Sequence, residues 1–214
     1  MSRADGATAS ADFCAELVRT HDFGRYASSL FVPAGQRRAL LALYAFNVEI
    51  SRVREQVSQP LPGEMRLQWW TDMLAGAGHG GIEGNPVAAE LQLAIQNWHL
   101  PVERLSRLID EHQFDLYNDP MPTLAALEGY VTDTSSALFA LAARIAGSRS
   151  GEVEHLARHA GLAQGFSQAM PRCRAMPRAG NYSCHSNFCR STAAAWKRCL
   201  PAGKRRTCAP RSTS

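Results

Sequence analysis

Between Gly35 and Val57 apolar side chains return at the spacing of an α-helix. Leu40, Leu41, Tyr44, Ala45, Val48 and Val53 fall on one stripe, while Arg37, Arg38, Glu49, Arg52 and Arg54 lie mostly off it. A stripe of that length is hidden only by packing other elements along it, so the segment predicts a long, partly buried helix. Hardly any stretch of the chain alternates apolar and polar residues at period two, and β-branched residues are sparse beside Ala and Leu. The fold class expected is therefore all-α. With 214 residues, 45% of them hydrophobic and 20% charged, the chain can bury a core of its own as one domain.

The flanking segments read the same way. Residues 1–12 are small and polar and are expected to be disordered. A short helix is expected from Ala11 to Thr20, with Phe13, Leu17 and Val18 on one face, ending at the polar break His21-Asp22. Pro60 and Pro62 should end the long helix, because proline lacks the N–H that the helical ladder needs. A new helix is then expected near Gly63, carrying Met65, Leu67, Trp69, Trp70 and Leu74. Gly76 to Gly84 reads as a loop. Pro86 and Pro101 sit well at helix starts, predicting helices over Val87–Trp98 and from Val102 to about Tyr117. Three more are expected over Leu124–Thr132, Ser135–Ala146 and Gly151–Gln168. No apolar run approaches the roughly 20 residues of a membrane-spanning helix, and no basic segment followed by a hydrophobic one opens the chain. With its Ala- and Arg-rich composition, this points to a soluble protein of the bacterial cytoplasm, membrane-peripheral at most, or of the mitochondrial matrix side in a eukaryote.

The net charge of +4 hides a division. Residues 1–170 carry 13 Lys/Arg and all 19 Asp/Glu, whereas residues 171–214 carry 10 Lys/Arg and no acid. Cysteine divides likewise, Cys14 alone in the body and Cys173, Cys184, Cys189, Cys199 and Cys208 in the tail. The tail cysteines never form a Cys-x2-Cys pair, so they do not read as a zinc site. The basic tail could hold nucleic acid or anionic lipid only non-specifically, and no specific nucleic-acid partner is expected.

Four blocks, in order, carry a resemblance. Leu40-Leu41-Ala42-Leu43-Tyr44-Ala45-Phe46 resembles the helix of squalene and phytoene synthases that leads into their first aspartate-rich motif. Arg66-Leu67-Gln68-Trp69-Trp70 is similar to the family's next helix. Leu108-Ile109-Asp110 through Asp115-Leu116 matches its central helix, and Tyr130 to Gly147 with Gly161-Leu162-Ala163 its later pair. The resemblance spans about residues 20–168 and implies an isoprenoid synthase-type helical bundle around a largely apolar cavity, here truncated in its C-terminal third.

Members of the family join two prenyl diphosphates head to head. The resemblance implies magnesium for that step, held by aspartates four apart on facing helices against the diphosphate charge. Counting from Tyr44, the first motif's aspartates would fall at Ser51, Arg52 and Glu55, of which Glu55 alone could ligate a hard cation. The second would fall near Arg172 and Met176, where no carboxylate exists beyond residue 154. Phe46-Asn47-Val48-Glu49, Val53-Arg54-Glu55 and Met65 to Trp70 resemble instead a divergent branch that includes mitochondrial complex I assembly factors and bacterial relatives.

The pocket candidates are Tyr44, Phe46, Asn47, Glu49, Glu55, Arg66, Gln68, Trp69 and Asp115. Trp69 and Trp70 could line a prenyl channel, but adjacent tryptophans on an amphipathic helix more often divide between core and interface. Asn47 and Glu49 are expected in a buried hydrogen-bond network rather than in catalysis. Arg66 and Gln68 could face a diphosphate or a partner; the plain alternative is a surface face. Asp115 and Asp119 are spaced like a magnesium pair, yet Asp119 precedes Pro120 at a helix end, where a negative pole disfavours it. His99, His112, His155 and His159 are scattered; only His155 and His159 stand four apart, without the acidic support of a metal site. Three functions compete: a lipid-binding or respiratory-complex assembly factor with an isoprenoid or membrane-side partner; an active magnesium-dependent farnesyl- or geranylgeranyl-diphosphate transferase; or an inactive fragment.

The fragment reading comes from the tail. When each codon's third base from Ala169 onward is joined to the first two of the next, Met176-Pro177 must give alanine, Asn181-Tyr182 leucine and Trp196-Lys197 glutamate. The other junctions permit L-P-R-H-A-A-R-R-Q-L-F-L-P and, later, H-G-G-G-M-E-E-V-F-A-G, which resembles the continuation of this branch. Residues 169–214 are thus expected to be translated out of frame. Resequencing the gene should find a one-base insertion or deletion near codon 168; a clean, unshifted read coding for this tail overturns the expectation.

Overall fold

The computed structural model describes residues 3–77, 84–117 and 121–174, with side chains over 8–77, 84–117 and 121–168. The described residues contain no strand. Ten helices and one π-helical turn follow in order among them: α1 (Arg3–His21), α2 (Phe23–Ser29), α3 (Ala34–Ser51), α4 (Val53–Gln56), α5 (Pro60–Leu74), α6 (Pro86–Trp98), α7 (Val102–Phe114), α8 (Leu124–Val131), the turn Thr132–Ser136, α9 (Ala137–Ile145) and α10 (Gly151–Arg174).

The all-α reading holds, and several boundaries move for physical reasons. α1 begins at Arg3, so the segment expected to be disordered supplies its first turns. Ala4, Ala7, Ala9 and Ala11 have the highest helix propensity and outweigh the polar residues between them. α2 was not foreseen: Asp22 breaks α1 and restarts the helix, its Oδ1 accepting from the Arg25 N–H at 3.1 Å. The long central helix is interrupted at Arg52. α5 starts at Pro60 rather than Gly63, since the first turn tolerates residues with no N–H to give. α6 opens on Asn85, whose Oδ1 accepts from the N–H groups of Val87 and Ala88, both at 3.0 Å, with Pro86 next. α10 runs six residues beyond Gln168, to Arg174. The tail cysteines from Cys184 onward, and Asp119 with its proposed metal pairing, lie outside the described residues.

α3 packs on α1 and α6, which also touch each other, while α5 packs on α7. The shared core takes Leu43, Phe46 and Ile50 from α3, Leu67 and Trp70 from α5, Leu91 from α6, and Leu105, Leu108 and Ile109 from α7. Burying side chains of this size contributes about 2 kcal/mol each. One charge sits in the α3–α6 seam. Glu90 is only 3% exposed and accepts from Arg38 Nε at 2.7 Å and Nη2 at 2.8 Å, a forked pair that gives both buried carboxylate oxygens a partner away from water. Beside it Cys14 is buried, and burial with the Glu90 charge pushes its thiol up to about 12.

The helix pair expected over Leu124–Thr132 and Ser135–Ala146 is one continuous run with a π turn in the middle. Thr132 and Thr134 donate their hydroxyls back to the carbonyls of Glu128 and Tyr130, each at 2.7 Å, which competes with the regular ladder at the place where it widens. α10 lies directly on this turn. A Cβ on Gly161 would meet Ser136 Cα at 2.2 Å, and one on Gly165 would meet Val131 Cγ1 at 2.4 Å. Ser136 Oγ then donates to the Arg158 carbonyl at 2.9 Å.

Two glycines, one within this contact and one outside it, should respond with opposite signs. Gly161→Ala should lower stability by about 1–3 kcal/mol through the backbone clash. Gly129→Ala, in α8 with nothing within 4 Å, should raise it by up to about 1 kcal/mol through helix propensity. Urea unfolding of the two variants reads both; equal shifts would contradict the packing of α10 on the π turn.

Candidate functional site

The interruption of α3 places a charged cluster where the aspartates of the family motif were expected. Arg52 leaves helical geometry (φ −99°, ψ 2°), and its Nε donates to Glu55 Oε2 at 2.9 Å. Its Nη1 lies 2.8 Å from His21 Nε2 at the end of α1. A guanidinium has no acceptor atom, so His21 Nε2 must accept. Glu55 is thereby engaged by a cation of its own chain. A hard dication needs several free oxygens; Ser51, Arg52 and Glu55 offer one carboxylate, and a fixed positive charge stands against it. The donor set does not suit magnesium.

One helix turn further in, α2, α3 and α10 meet at Arg25. Its Nη1 lies 2.5 Å from Asp22 Oδ2, its Nη2 donates to Gln164 Oε1 at 2.8 Å, and its guanidinium carbon stands 5.6 Å above the centre of the Tyr44 ring. Burial raises the Tyr44 hydroxyl above its usual range, Arg25 partly offsets that and Asp22 adds to it, so Tyr44 is a neutral phenol under a cation. Asp22, Arg25 and Gln164 were not singled out by sequence reasoning. The signal that could have found Asp22 is its cap position; Gln164 is 139 residues from Arg25 and left none.

Asp115, the C-cap of α7, joins a second network. Its Oδ2 lies 2.8 Å from His112 Nδ1 and accepts from the Tyr130 hydroxyl at 2.8 Å. His112 is buried, its Nε2 has no partner among the described residues, and its ring meets that of Tyr130 edge-on at 6.2 Å. Glu111 beside it is held above the usual carboxylate range, first by burial and then by Asp133 across the seam.

The remaining candidates do not converge on either network. Phe46 is fully buried and meets Trp70 edge-on at 5.1 Å, and Trp70 meets Trp69 at 5.0 Å, so this ladder is core with Trp69 half-buried at its rim. Arg66 bonds Gln56 and Gln68 donates to Asp72 at 2.7 Å, both pairs exposed. Asn47 and Glu49 are half-buried, and no side-chain hydrogen bond joins them to another described residue; the expected buried network is absent there.

A cavity of about 420 Å³ opens elsewhere, between α7, the π turn and α10. Arg104, Arg107, Asp133, Ser136, Glu154 and His155 are among its lining residues, and Arg104 pairs with Glu154. Its lining includes charged groups of both signs, Arg104, Arg107 and Arg158 with Asp133 and Glu154. Helical spacing on α10 brings Glu154, His155 and Arg158 to it, a face visible in sequence only once the partner helices are known.

Comparison with known proteins agrees with this architecture. A sequence profile described as "Squalene/phytoene synthase" matches residues 18–174. The human protein "NADH dehydrogenase (ubiquinone) complex I, assembly factor 6" is 34% identical over 161 residues, covering 75% of this chain and 48% of its own length. The "NADH dehydrogenase (ubiquinone) complex I, assembly factor 6 homolog" of Drosophila melanogaster is 32% identical over 182 residues, covering 79% and 52%. The chain thus spans about half the length of the curated relatives it matches. Among solved structures, squalene synthase HpnC from Alicyclobacillus acidocaldarius superposes with a TM-score of 0.65 at 21% identity, covering 78% of this chain and 62% of the other. A ligand-bound dehydrosqualene synthase gives 0.62 at 15%, covering 78% and 57%. These two establish the fold.

Arg25 is the joint of the first network. Arg25→Met should lower stability by about 2 kcal/mol, since it leaves Asp22, Gln164 and the Tyr44 face without their cation while keeping the side-chain volume. The check is a urea midpoint that falls with an unchanged slope; an unchanged midpoint would deny that Arg25 ties α10 to α2 and α3.

Proposed function

The chain belongs to the squalene/phytoene synthase family, and we propose that it serves the assembly of respiratory complex I and does not run the family's magnesium-dependent prenyl diphosphate chemistry. The observation that carries this reading is the Arg52–Glu55 pair with His21 at the first aspartate position. A magnesium clamp stabilises a departing diphosphate by concentrating positive charge on free carboxylates. Here the carboxylate is neutralised internally and the cation is part of the protein, so the charge needed to hold Mg2+ is missing.

The similarity to complex I assembly factors supplies the partner class, a respiratory membrane enzyme under construction. No described helix is long and apolar enough to cross a membrane. In a eukaryotic cell the matrix side is the place this reading assigns; in a bacterium, the cytoplasmic face. An isoprenoid chain is a fitting ligand only as a passenger, bound without magnesium.

Deleting the gene in its own cell should reduce assembled complex I on native gels, with NADH–ubiquinone activity falling severalfold and long-chain isoprenoid hydrocarbons unchanged. The purified chain mixed with farnesyl diphosphate should release no more diphosphate with Mg2+ than without protein. Magnesium-dependent release overturns the proposal in favour of the transferase, and normal complex I in the deletion strain removes the assembly role. Titration with a non-hydrolysable farnesyl diphosphate analogue, with and without Mg2+, separates a lipid-carrying factor from one that binds no lipid.

A further inference from the structure

We propose that His155 and His159 form a chelating site for a borderline divalent transition metal on the exposed face of α10. The two residues are one turn apart on a 24-residue helix, and their Nε2 atoms stand 3.3 Å from each other with ring centres 4.5 Å apart. A tetrahedral ion bound at about 2.0–2.1 Å holds two ligand nitrogens about 3.3 Å apart, so the spacing is already that of a chelate. Sequence spacing alone gave the i,i+4 pair; convergence of the two Nε2 atoms rather than divergence of the rings is what the structure adds.

The chemistry of the donors selects the ion. Imidazole nitrogen suits Cu2+, Ni2+ and Zn2+, and is a poor ligand for Mg2+. Both rings are exposed, so solvent metal reaches them and water completes the shell. No group of three or more His, Cys, Asp or Glu among the described residues gathers around a common point, which makes this a two-ligand protein site with open positions. His155 also lines the 420 Å³ cavity, placing those open positions beside a space large enough for a small ligand. The neighbouring charges are mixed: Glu154 is tied to Arg104, Arg158 leans on Glu128 at 3.7 Å, and Asp133 and Arg107 face the same space. Arg158 moderates the affinity, and its ion pair draws the positive charge away from the two rings. The site is independent of the assembly reading and stands or falls separately from it.

The test uses the full chain after treatment with iodoacetamide, so that accessible thiolates do not compete for the metal. Cys14 stays inert, because burial holds its thiol near pKa 12. Titrated with CuCl2, the capped chain should take up one Cu2+ with an electron paramagnetic resonance pattern of two equatorial nitrogens. Ni2+ and Zn2+ should bind more weakly and Mg2+ not at all. His155→Ala and His159→Ala should each weaken Cu2+ binding at least about tenfold, because removing one arm abolishes the chelate. Both side chains are exposed, so far-UV circular dichroism should show both variants folded. Undiminished copper binding in the H155A/H159A double variant, or no binding by the capped wild-type chain, overturns the site.

Discussion

The burial of α3 on several sides at once is the constraint from which the rest of the bundle follows. From Ala39 to Ile50 all but Tyr44, Asn47 and Glu49 are buried, a density that an amphipathic surface helix does not reach. Such a helix needs neighbours on opposing flanks, and α1, α6 and α7 take those places. Each neighbour is then committed by its own stripe: Cys14 and Val18 from α1, Leu91 and Ala94 from α6, Leu105, Leu108 and Ile109 from α7. The Glu90–Arg38 pair fits this logic. A buried carboxylate tolerates only one arrangement of its partner, so it fixes α6 against α3 more sharply than apolar contact alone, which admits sliding.

Polar structure collects where that apolar constraint ends. Past Ile50 only Val53 carries the buried stripe further, α3 breaks at Arg52, and the side chains released there pair with one another across α1 and α4. The same fold could present free carboxylates at this end, in which case its field would attract cations. With Arg52 in the cluster the carboxylate charge at that spot is cancelled, and Glu55 serves to compensate a neighbour. A change of residue type at one helix end therefore changes the local charge with no change in the helices beneath it.

What could be read from the sequence was what depends on local periodicity. The stripe of α3, the helix starts at Pro86 and Pro101, and the core place of Trp70 all follow from spacing within one element. The missed features depend on competition or on distance. α2 exists because Asp22 caps a helix seven residues long, a signal too brief for periodicity. The π turn arises where hydroxyls of Thr132 and Thr134 compete with the backbone, which a count of apolar positions does not register. Of the candidate site residues, Tyr44 and Asp115 proved to be network members because each is a polar group at the edge of a buried stripe. Phe46 and Trp69 went to the core and its rim, and Arg66 and Gln68 to surface pairs, because helical neighbours reach them before any distant partner does.

α10 shows how one helix divides such roles. Its glycine face, Gly161 and Gly165, gives up side chains altogether so that the backbone can lie against the π turn, and the approach is too close for any Cβ. That contact fixes the rotation of α10 about its own axis. Once the rotation is fixed, every other residue on the helix has its direction assigned: Gln164 must point at Arg25, and Glu154, His155 and Arg158 must turn toward the cavity shared with α7. The polar groups of α10 need no separate device to orient them. Their geometry is inherited from two positions that carry no side chain, so a residue without chemistry of its own determines where the chemistry of the helix is aimed.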